Sequence, residues 1–290
     1  LRVRGEDRLT FVHGQLSNEV RRLAVGGASH ALMLNHKGHA LAEVRVYRRE
    51  DDLYLAVEDG KGPEVMAQLE AHIIFDQVTL QDLTGEITGF SVQGEGAAAL
   101  VREVLGIEVP QAGAFVQAPF ASAEVLVAPA KRSLVSGVDL HVLARDAVAL
   151  VEALEAAGAL RVDQEIAELL RVEAGIPAAH REGGEGVLPQ ECGLEHAISY
   201  TKGCYLGQEI MARIEARGNV RRALRGLRLE AVPKEARDVT ADGRVVGRLG
   251  TVVEHPELGV VALAAIRRDL ETTRVQVGDV VGELVALPFA

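Results

Sequence analysis

The segment Lys202-Gly203-Cys204-Tyr205-Leu206-Gly207-Gln208-Glu209 holds the clearest chemical potential in the chain. Two glycines bracket a cysteine just ahead of a stretch that reads as a helix, from about Gly207 through Ile210, Met211 and Ile214 to Gly218. Backbone amides at a helix N-terminus carry partial positive charge. A thiol close to them, with Lys202 nearby, is expected to favour the thiolate, the form that attacks electrophiles or binds metal. The alternative is a small buried core residue, the usual fate of free cysteine.

Two further groups of residues could bind a ligand. Arg213, Arg217, Arg221, Arg222, Arg225 and Arg228 lie within sixteen residues, opposed mainly by Glu215. Such a patch can hold carboxylates or phosphates through paired guanidinium donors, or it is a solvated face matched by acids elsewhere. In Arg171-Val172-Glu173-Ala174-Gly175-Ile176-Pro177, Arg171 complements the C-terminal end of a helix dipole and Glu173 does not. A carboxylate in that position serves either a ligand or a salt bridge. His36 and His39 stand three apart in a turn with no supporting carboxylate, so no metal site is expected there. There is no Walker loop, dinucleotide fingerprint or nucleophile elbow, which argues against a nucleotide hydrolase, a Rossmann oxidoreductase and an α/β-hydrolase.

The elements that must position these residues are legible in outline. Ser17 is placed to cap a helix through Glu19, Val20 and Leu23. Runs at Ser29–Leu34, His39–Arg48 and Leu53–Val57, separated by Asn35-His36-Lys37-Gly38 and Glu50-Asp51-Asp52, read as an antiparallel meander. Pro63 opens a helix through Met66 and Leu69. A similar cycle follows: a strand at Ile87–Val92, a helix at Ala97–Leu105 stopped by Gly106, and strands at Glu124–Ala128 and Val138–Leu143. A helix capped by Asp146 then turns Val148, Val151 and Leu154 inward. Asp163 starts a helix through Ile166, Leu169, Leu170 and Glu173, ended by Gly175 and Pro177. The loop REGGEGVLPQECG after it is either a mobile surface connection or a place of close backbone approach. Past about Val220, short β runs (Val245–Val246, Thr251–Val253, Val260–Ala264, Val281–Val285) between turn signals suggest a small barrel or sandwich.

The 290 residues suggest two or three compact units, and sheets with helices on one face give an α+β class. We place the boundary near Asn219: 1–219 as an α+β region, with a further split near 110–130, and 220–290 as a β domain. The net charge of −11 excludes general attraction to nucleic acid or anionic lipid, so any anion site is local. No apolar run is long enough to span a membrane, and the opening LRVRGEDRLT does not resemble a signal peptide. Leu1 is not a natural start, so residues are expected to precede it. Cys192 and Cys204, the only cysteines, match no zinc spacing; reduced thiols and a cytoplasmic location are expected.

Residues Lys202–Glu209 resemble the K-G-C-[FY]-x-G-Q-E signature of the YgfZ family at every fixed position. Phe11–Val20 resembles its F-x-x-G-Q-x-T-x-D-V opening, Asn35–His39 its D/N-x-K-G-R/K turn, Arg171–Pro177 its R-I-E-A-G-I-P element, and Pro189-Gln190-Glu191 its P-Q-E/A element. The likeness runs through about Arg222; the remainder fits the family's C-terminal β domain in type only. The resemblance implies a fold like the T-protein of the glycine cleavage system: ferredoxin-like α+β elements around a central folate cavity, plus a small C-terminal β-barrel. It also implies binding of tetrahydrofolate or a one-carbon derivative, with Glu173 holding the pterin ring and Arg171, Asn35, Lys37 and Glu191 as further folate contacts.

By the same resemblance the chain serves iron–sulfur client proteins, including enzymes that modify tRNA, and acts through Cys204 with Lys202. Gly203, Tyr205, Gly207, Gln208 and Glu209 complete that motif, and Arg213, Arg217, Arg221 and Arg222 form an anion patch. Direct binding of tRNA by that patch is a separate possibility. The alternative is a folate-dependent aminomethyltransferase. T-proteins carry a catalytic aspartate in an N-x-x-K-D element whose position falls near Val65 here, beside Glu64, with Glu58 and Asp59 the other nearby acids. That departure favours the YgfZ side. Tryptophans thought to serve some YgfZ proteins are absent, and His36 and His39 replace commoner residues in the turn.

Overall fold

A computed structural model of the chain describes residues 1–184, 186–218 and 220–289. The opening residues build β1 (Arg2–Arg4), α1 (Arg8–Gln15), β2 (Ala28–Leu34), β3 (Ala40–Arg48), β4 (Leu53–Val57), α2 (Gly62–Ala71) and β5 (Thr79–Gln81). The strands form one sheet in the order β2-β3-β4-β1-β5. The expected meander is its core. In β3, Ala42, Val44 and Val46 are fully buried while Leu41, Glu43 and Arg45 between them are not, the period-two pattern of a strand with one covered face. Pro63 lies in the first turn of α2, where its missing N–H costs nothing.

The helix expected after Ser17 does not form. The helix lies before it, and Ser17 is buried in an irregular stretch. Local side chains there satisfy the backbone instead. Asn18 Oδ1 accepts from the Glu19 N–H at 2.8 Å, Glu19 Oε1 from the Arg22 N–H at 3.0 Å, and His13 Nδ1 from the Val20 and Arg21 N–H groups at 3.4 Å each. Polar side chains of this kind compete with helical hydrogen bonds.

The second cycle comprises β6 (Ile87–Gln93), α3 (Ala97–Leu105), β7 (Val116–Phe120), β8 (Ala123–Ala130), β9 (Gly137–Leu143) and α4 (Ala147–Ala156). Its antiparallel sheet runs β6-β9-β8-β7. Ala97, Val101 and Leu105 recur every four residues along α3 and, with Leu150 and Leu154 of α4, bury against Val125, Val127, Val138, Leu140 and Val142. Gly106 closes α3 in the left-handed region, φ 68°. Two expectations for α4 need correction. Asp146 makes no cap bond, because its carboxylate accepts from Ser122 Oγ at 2.8 Å. Val148 does not face inward and is 68% exposed; the buried stripe passes through Leu150 and Leu154.

The third part holds α5 (Gln164–Glu173), α6 (Ala179–Glu182) and α7 (Gln208–Arg217). It continues through β10 (Arg222–Leu229), β11 (Asp238–Ala241), β12 (Arg244–His255), β13 (Gly259–Arg267), β14 (Arg274–Val277) and β15 (Val280–Val285). The six strands close into a barrel, β10-β13-β12-β11-β14-β15, with β15 returning to β10. Leu227, Leu229, Ala262, Ala264, Ile266, Val275, Val277 and Leu284 fill it. On its outer side, Val261 and Leu263 pack with Val172 of α5 and Phe289. Cutting a fully buried side chain such as Leu263 to alanine costs about 2–5 kcal/mol. The two short runs expected at 245–246 and 251–253 are parts of the single long strand β12.

The chain divides into two compact units. Leu1–Ala31 with Val44–Asp163 make one, and Leu32–Glu43 with Gln164–Ala290 the other, so the far end of the β2–β3 hairpin belongs with the barrel-containing unit. The boundary residue expected from sequence, Asn219, lies outside the described residues. Among the described residues no helix is long and apolar enough to cross a membrane.

Candidate functional site

Helix α7 begins after Gly207, whose φ of +84° is in the left-handed region. Gly207 is pressed against the β2–β3 turn: a Cβ there would stand 2.9 Å from the Asn35 carbonyl oxygen and 3.1 Å from Leu34 Cβ. The contact is reciprocal. Gly38, at φ +77°, faces α7, where an added Cβ would meet Met211 Cε at 2.7 Å and Ile210 Cγ2 at 3.0 Å. Two distant motifs are thereby interlocked through the one residue type lacking a side chain. Asn35 shapes the turn, since its Oδ1 accepts from the Lys37 N–H at 2.9 Å and the His39 N–H at 3.1 Å.

The cysteine loop is anchored on both sides of the thiol. Lys202 and Tyr205 are each 9% exposed, and the Lys202 ammonium lies 4.8 Å from the centre of the Tyr205 ring. Gln208 closes the loop: its Oε1 accepts from the Tyr205 N–H at 3.0 Å, and its own N–H donates to the Tyr205 carbonyl at 3.2 Å. Between these anchors Gly203 and Cys204 are exposed. The core-cysteine reading therefore does not apply to Cys204. It describes Cys192, which is fully buried, donates to the Pro189 carbonyl at 3.4 Å, and has its thiol pushed up to about 12 by burial, with Glu182 and Glu43 adding to the rise. Glu209 sits in the first turn of α7, where an acid suits the dipole, and pairs with Arg213 at 2.8 Å.

The residues implied as folate contacts separate into committed and available groups. Arg171 uses all five of its donors inside the protein. Nε and one Nη2 proton hold Glu168 at 2.8 and 2.7 Å, and the other Nη2 proton goes to Thr251 Oγ1 at 2.7 Å. Nη1 serves Glu182 Oε2 at 3.0 Å and the Ile176 carbonyl. Glu182, whose carboxylate is completely buried, also accepts from the Ala178 N–H at 2.7 Å and from Thr251 at 3.0 Å (N–H) and 2.6 Å (Oγ1). Arg171 is thus a structural hub with no donor left for a ligand. Glu191 accepts from the Leu188 N–H at 3.1 Å and lies 3.9 Å from Arg222, so it too is engaged within the fold. The REGGEGVLPQECG segment is correspondingly no mobile loop over 187–192, where Val187, Gln190, Glu191 and Cys192 are buried; Glu185 lies outside the described residues.

Lys37 is exposed. Glu173, the last residue of α5, has a side chain that is 22% exposed and a carboxylate oxygen 3.5 Å from His255 Nε2. Of the five implied contacts, these two retain charged groups that a ligand could reach. Sequence reasoning missed Glu168, Glu182, Thr251 and His255 as partners of these residues.

The arginine cluster is divided between two elements. Arg213 lies on α7, the side chain of Arg217 lies outside the described residues, and Arg222, Arg225 and Arg228 lie on β10. Arg222 donates to the Gly186 carbonyl at 3.1 Å. Strand pairing sets Arg222 opposite Arg267, and Arg268 donates from Nε to the Arg222 carbonyl at 3.2 Å and from its backbone N–H to the Arg221 carbonyl at 2.9 Å. The sequence cluster alone does not reveal this second pair. Val65, where the T-protein aspartate position falls, is fully buried in α2, while Glu64 is held by Lys61 at 2.7 Å and Asp59 is exposed.

Two β-sheets with helices and a closed six-stranded barrel define an α+β protein in which the exposed Cys204 lies on a loop between the buried Lys202 and Tyr205. The chain belongs to the family described as GCVT N-terminal domain, which matches residues 1–202. It is 29% identical over 285 residues to an aminomethyltransferase of Geobacillus kaustophilus, covering 92% of this chain and 76% of that protein. An aminomethyltransferase of Chlorobaculum parvum is 28% identical over 288 residues, covering 93% and 77%. The fold superposes on the crystal structure of glycine cleavage system aminomethyltransferase T from Bartonella henselae with a TM-score of 0.82 at 19% identity, over 100% of this chain and 83% of that one.

Proposed function

We propose that the protein binds tetrahydrofolate or a one-carbon derivative and acts as a YgfZ-type auxiliary factor in assembly or repair of iron–sulfur enzymes, with Cys204 as its reacting group. The observation that carries this reading is the exposure of Cys204 on a loop whose flanking residues, Lys202 and Tyr205, are buried. A thiol with no packing role, held at a fixed place, is suited to meeting a partner. The folate half is supported by family membership and by Glu173. A carboxylate matches the adjacent N–H donors of a pterin edge. Arg171 contributes by holding the Ile176 carbonyl just past Glu173, and Glu191 by holding the Leu188 N–H.

The second reading, aminomethyl transfer, is favoured by the names of the relatives. Against it stands Val65, a core side chain with no proton to exchange. Calorimetric titration with tetrahydrofolate of the wild type and Cys204→Ala tests the first reading. Saturable binding by both is expected, and no binding by the wild type removes folate from the proposal. Steady turnover of an aminomethylated carrier protein with tetrahydrofolate would replace the auxiliary role by the transferase. Salt-dependent binding of tRNA would place a nucleic acid on the arginines near Arg222.

A further inference from the structure

His255 ends β12 and opens the turn His255-Pro256-Glu257-Leu258. Its Nδ1 accepts hydrogen bonds from the Glu257 N–H at 3.2 Å and the Leu258 N–H at 3.1 Å. A neutral imidazole carries one ring proton, and two amides directed at Nδ1 require a lone pair there. The proton therefore sits on Nε2, the nitrogen 3.5 Å from Glu173 Oε1. The His255 side chain is 8% exposed and that of Glu173 22%, so the pair is more closed on the histidine side and more open on the glutamate side.

Glu173 needs such a partner. Its charge stands at the C-terminal end of α5, where the helix dipole is unfavourable to an acid. Its backbone is already fixed. The Glu173 carbonyl accepts from the Phe289 N–H at 2.9 Å, and α5 ends in paired bonds from the Gly175 N–H to Val172 and from the Ile176 N–H to Arg171. What those bonds leave open is the side-chain rotamer.

We propose that His255 is a positioning residue for Glu173. Its Nε2–H draws Oε1 to one side and leaves Oε2 directed to the N–H donors of an aminopyrimidinone-type ring. This rests on the reading of Glu173 as the folate acid. The turn sets the tautomer, and the tautomer sets the carboxylate.

Two substitutions separate the roles of the ring nitrogens. His255→Asn keeps an acceptor for the Glu257 and Leu258 amides, as in an Asx turn, but lacks a donor that reaches Glu173. His255→Gln places an amide N–H near the position of Nε2. Tetrahydrofolate affinity is expected to fall about three- to tenfold in His255→Asn at an unchanged melting temperature, and to return towards wild type in His255→Gln. Glu173→Ala is titrated in parallel. If it binds as tightly as the wild type, the folate reading of Glu173 fails and takes this proposal with it. If Glu173→Ala loses affinity while His255→Asn does not, the positioning role alone is wrong. Nitrogen-15 NMR of the imidazole gives a readout independent of folate: the Nε2–H tautomer is expected, and an Nδ1–H tautomer overturns the proposal.

Discussion

Gly207 and Asn35 meet backbone to backbone: a single Cβ on Gly207 would come within 2.9 Å of the Asn35 carbonyl oxygen. The start of α7 and the β2–β3 turn therefore cannot be moved independently, and the Cys204 loop is fixed by a strand hairpin far away in the chain. Gly207→Ala meets both this clash and a left-handed φ of +84°. It is expected to destabilise the protein by about 1–3 kcal/mol in urea unfolding, since each effect alone is of order 1 kcal/mol. An unchanged midpoint and slope would show that the two elements are not interlocked.

Arg171 and Glu182 form a buried pair that cannot lose one member cheaply. Arg171→Ala leaves the fully buried Glu182 carboxylate without its cation, and a loss of about 3–5 kcal/mol is expected. Arg171→Lys should recover only part of this, because an ammonium cannot reproduce five donors spread over Glu168, Glu182, Thr251 and the Ile176 carbonyl. Thermal melts of both variants measure the difference. Equal stability of lysine and arginine at this position would contradict the hub.

The two thiols should differ sharply in reactivity. Cys204 is exposed and Cys192 is buried with its thiol held up to about 12. Native protein is expected to release one equivalent of chromophore from an aromatic disulfide reagent, and unfolded protein two. Cys204→Ala should react in the native state not at all. Rapid modification of both thiols in the native wild type would refute the assignment of Cys192 to the core.

His141 gives the fold a sensitivity to acid. Its imidazole contacts the Tyr54 hydroxyl at 3.2 Å and packs edge-on to Tyr47 and Tyr54, and burial lowers its pKa from 6.5 to about 4. The unfolded chain takes up a proton as pH falls below 6.5 and the folded chain does not until about 4. Folded stability is therefore lost across that window and levels off below it. Between pH 6 and 4 the wild type should lose stability relative to His141→Phe by up to about 1.4 kcal/mol per pH unit. Parallel curves for the two proteins would show that His141 is protonated when folded.

Much of this protein is written in short-range features of its sequence. The meander runs, the glycine stops at Gly106 and Gly175, Pro63 in the first turn of α2, and the cysteine loop ahead of a helix were all legible, because each depends on backbone preferences within a few residues. The local reading failed at Ser17, where Asn18, Glu19 and His13 offered the backbone other partners, and at Val148, where either of two adjoining stripes fits the helical period.

What the tertiary structure alone decided are the pairings between distant residues. Identical residue types could place Arg171 in a ligand site or in a salt-bridge hub, and only the approach of Glu182 and Thr251 settles its five donors inside the protein. The same holds for which cysteine is exposed, which arginine faces Arg222 across β10 and β13, and which nitrogen of His255 faces Glu173. Local sequence sets φ, ψ and periodicity. Strand register and packing set which side chains meet, and those depend on the whole chain at once.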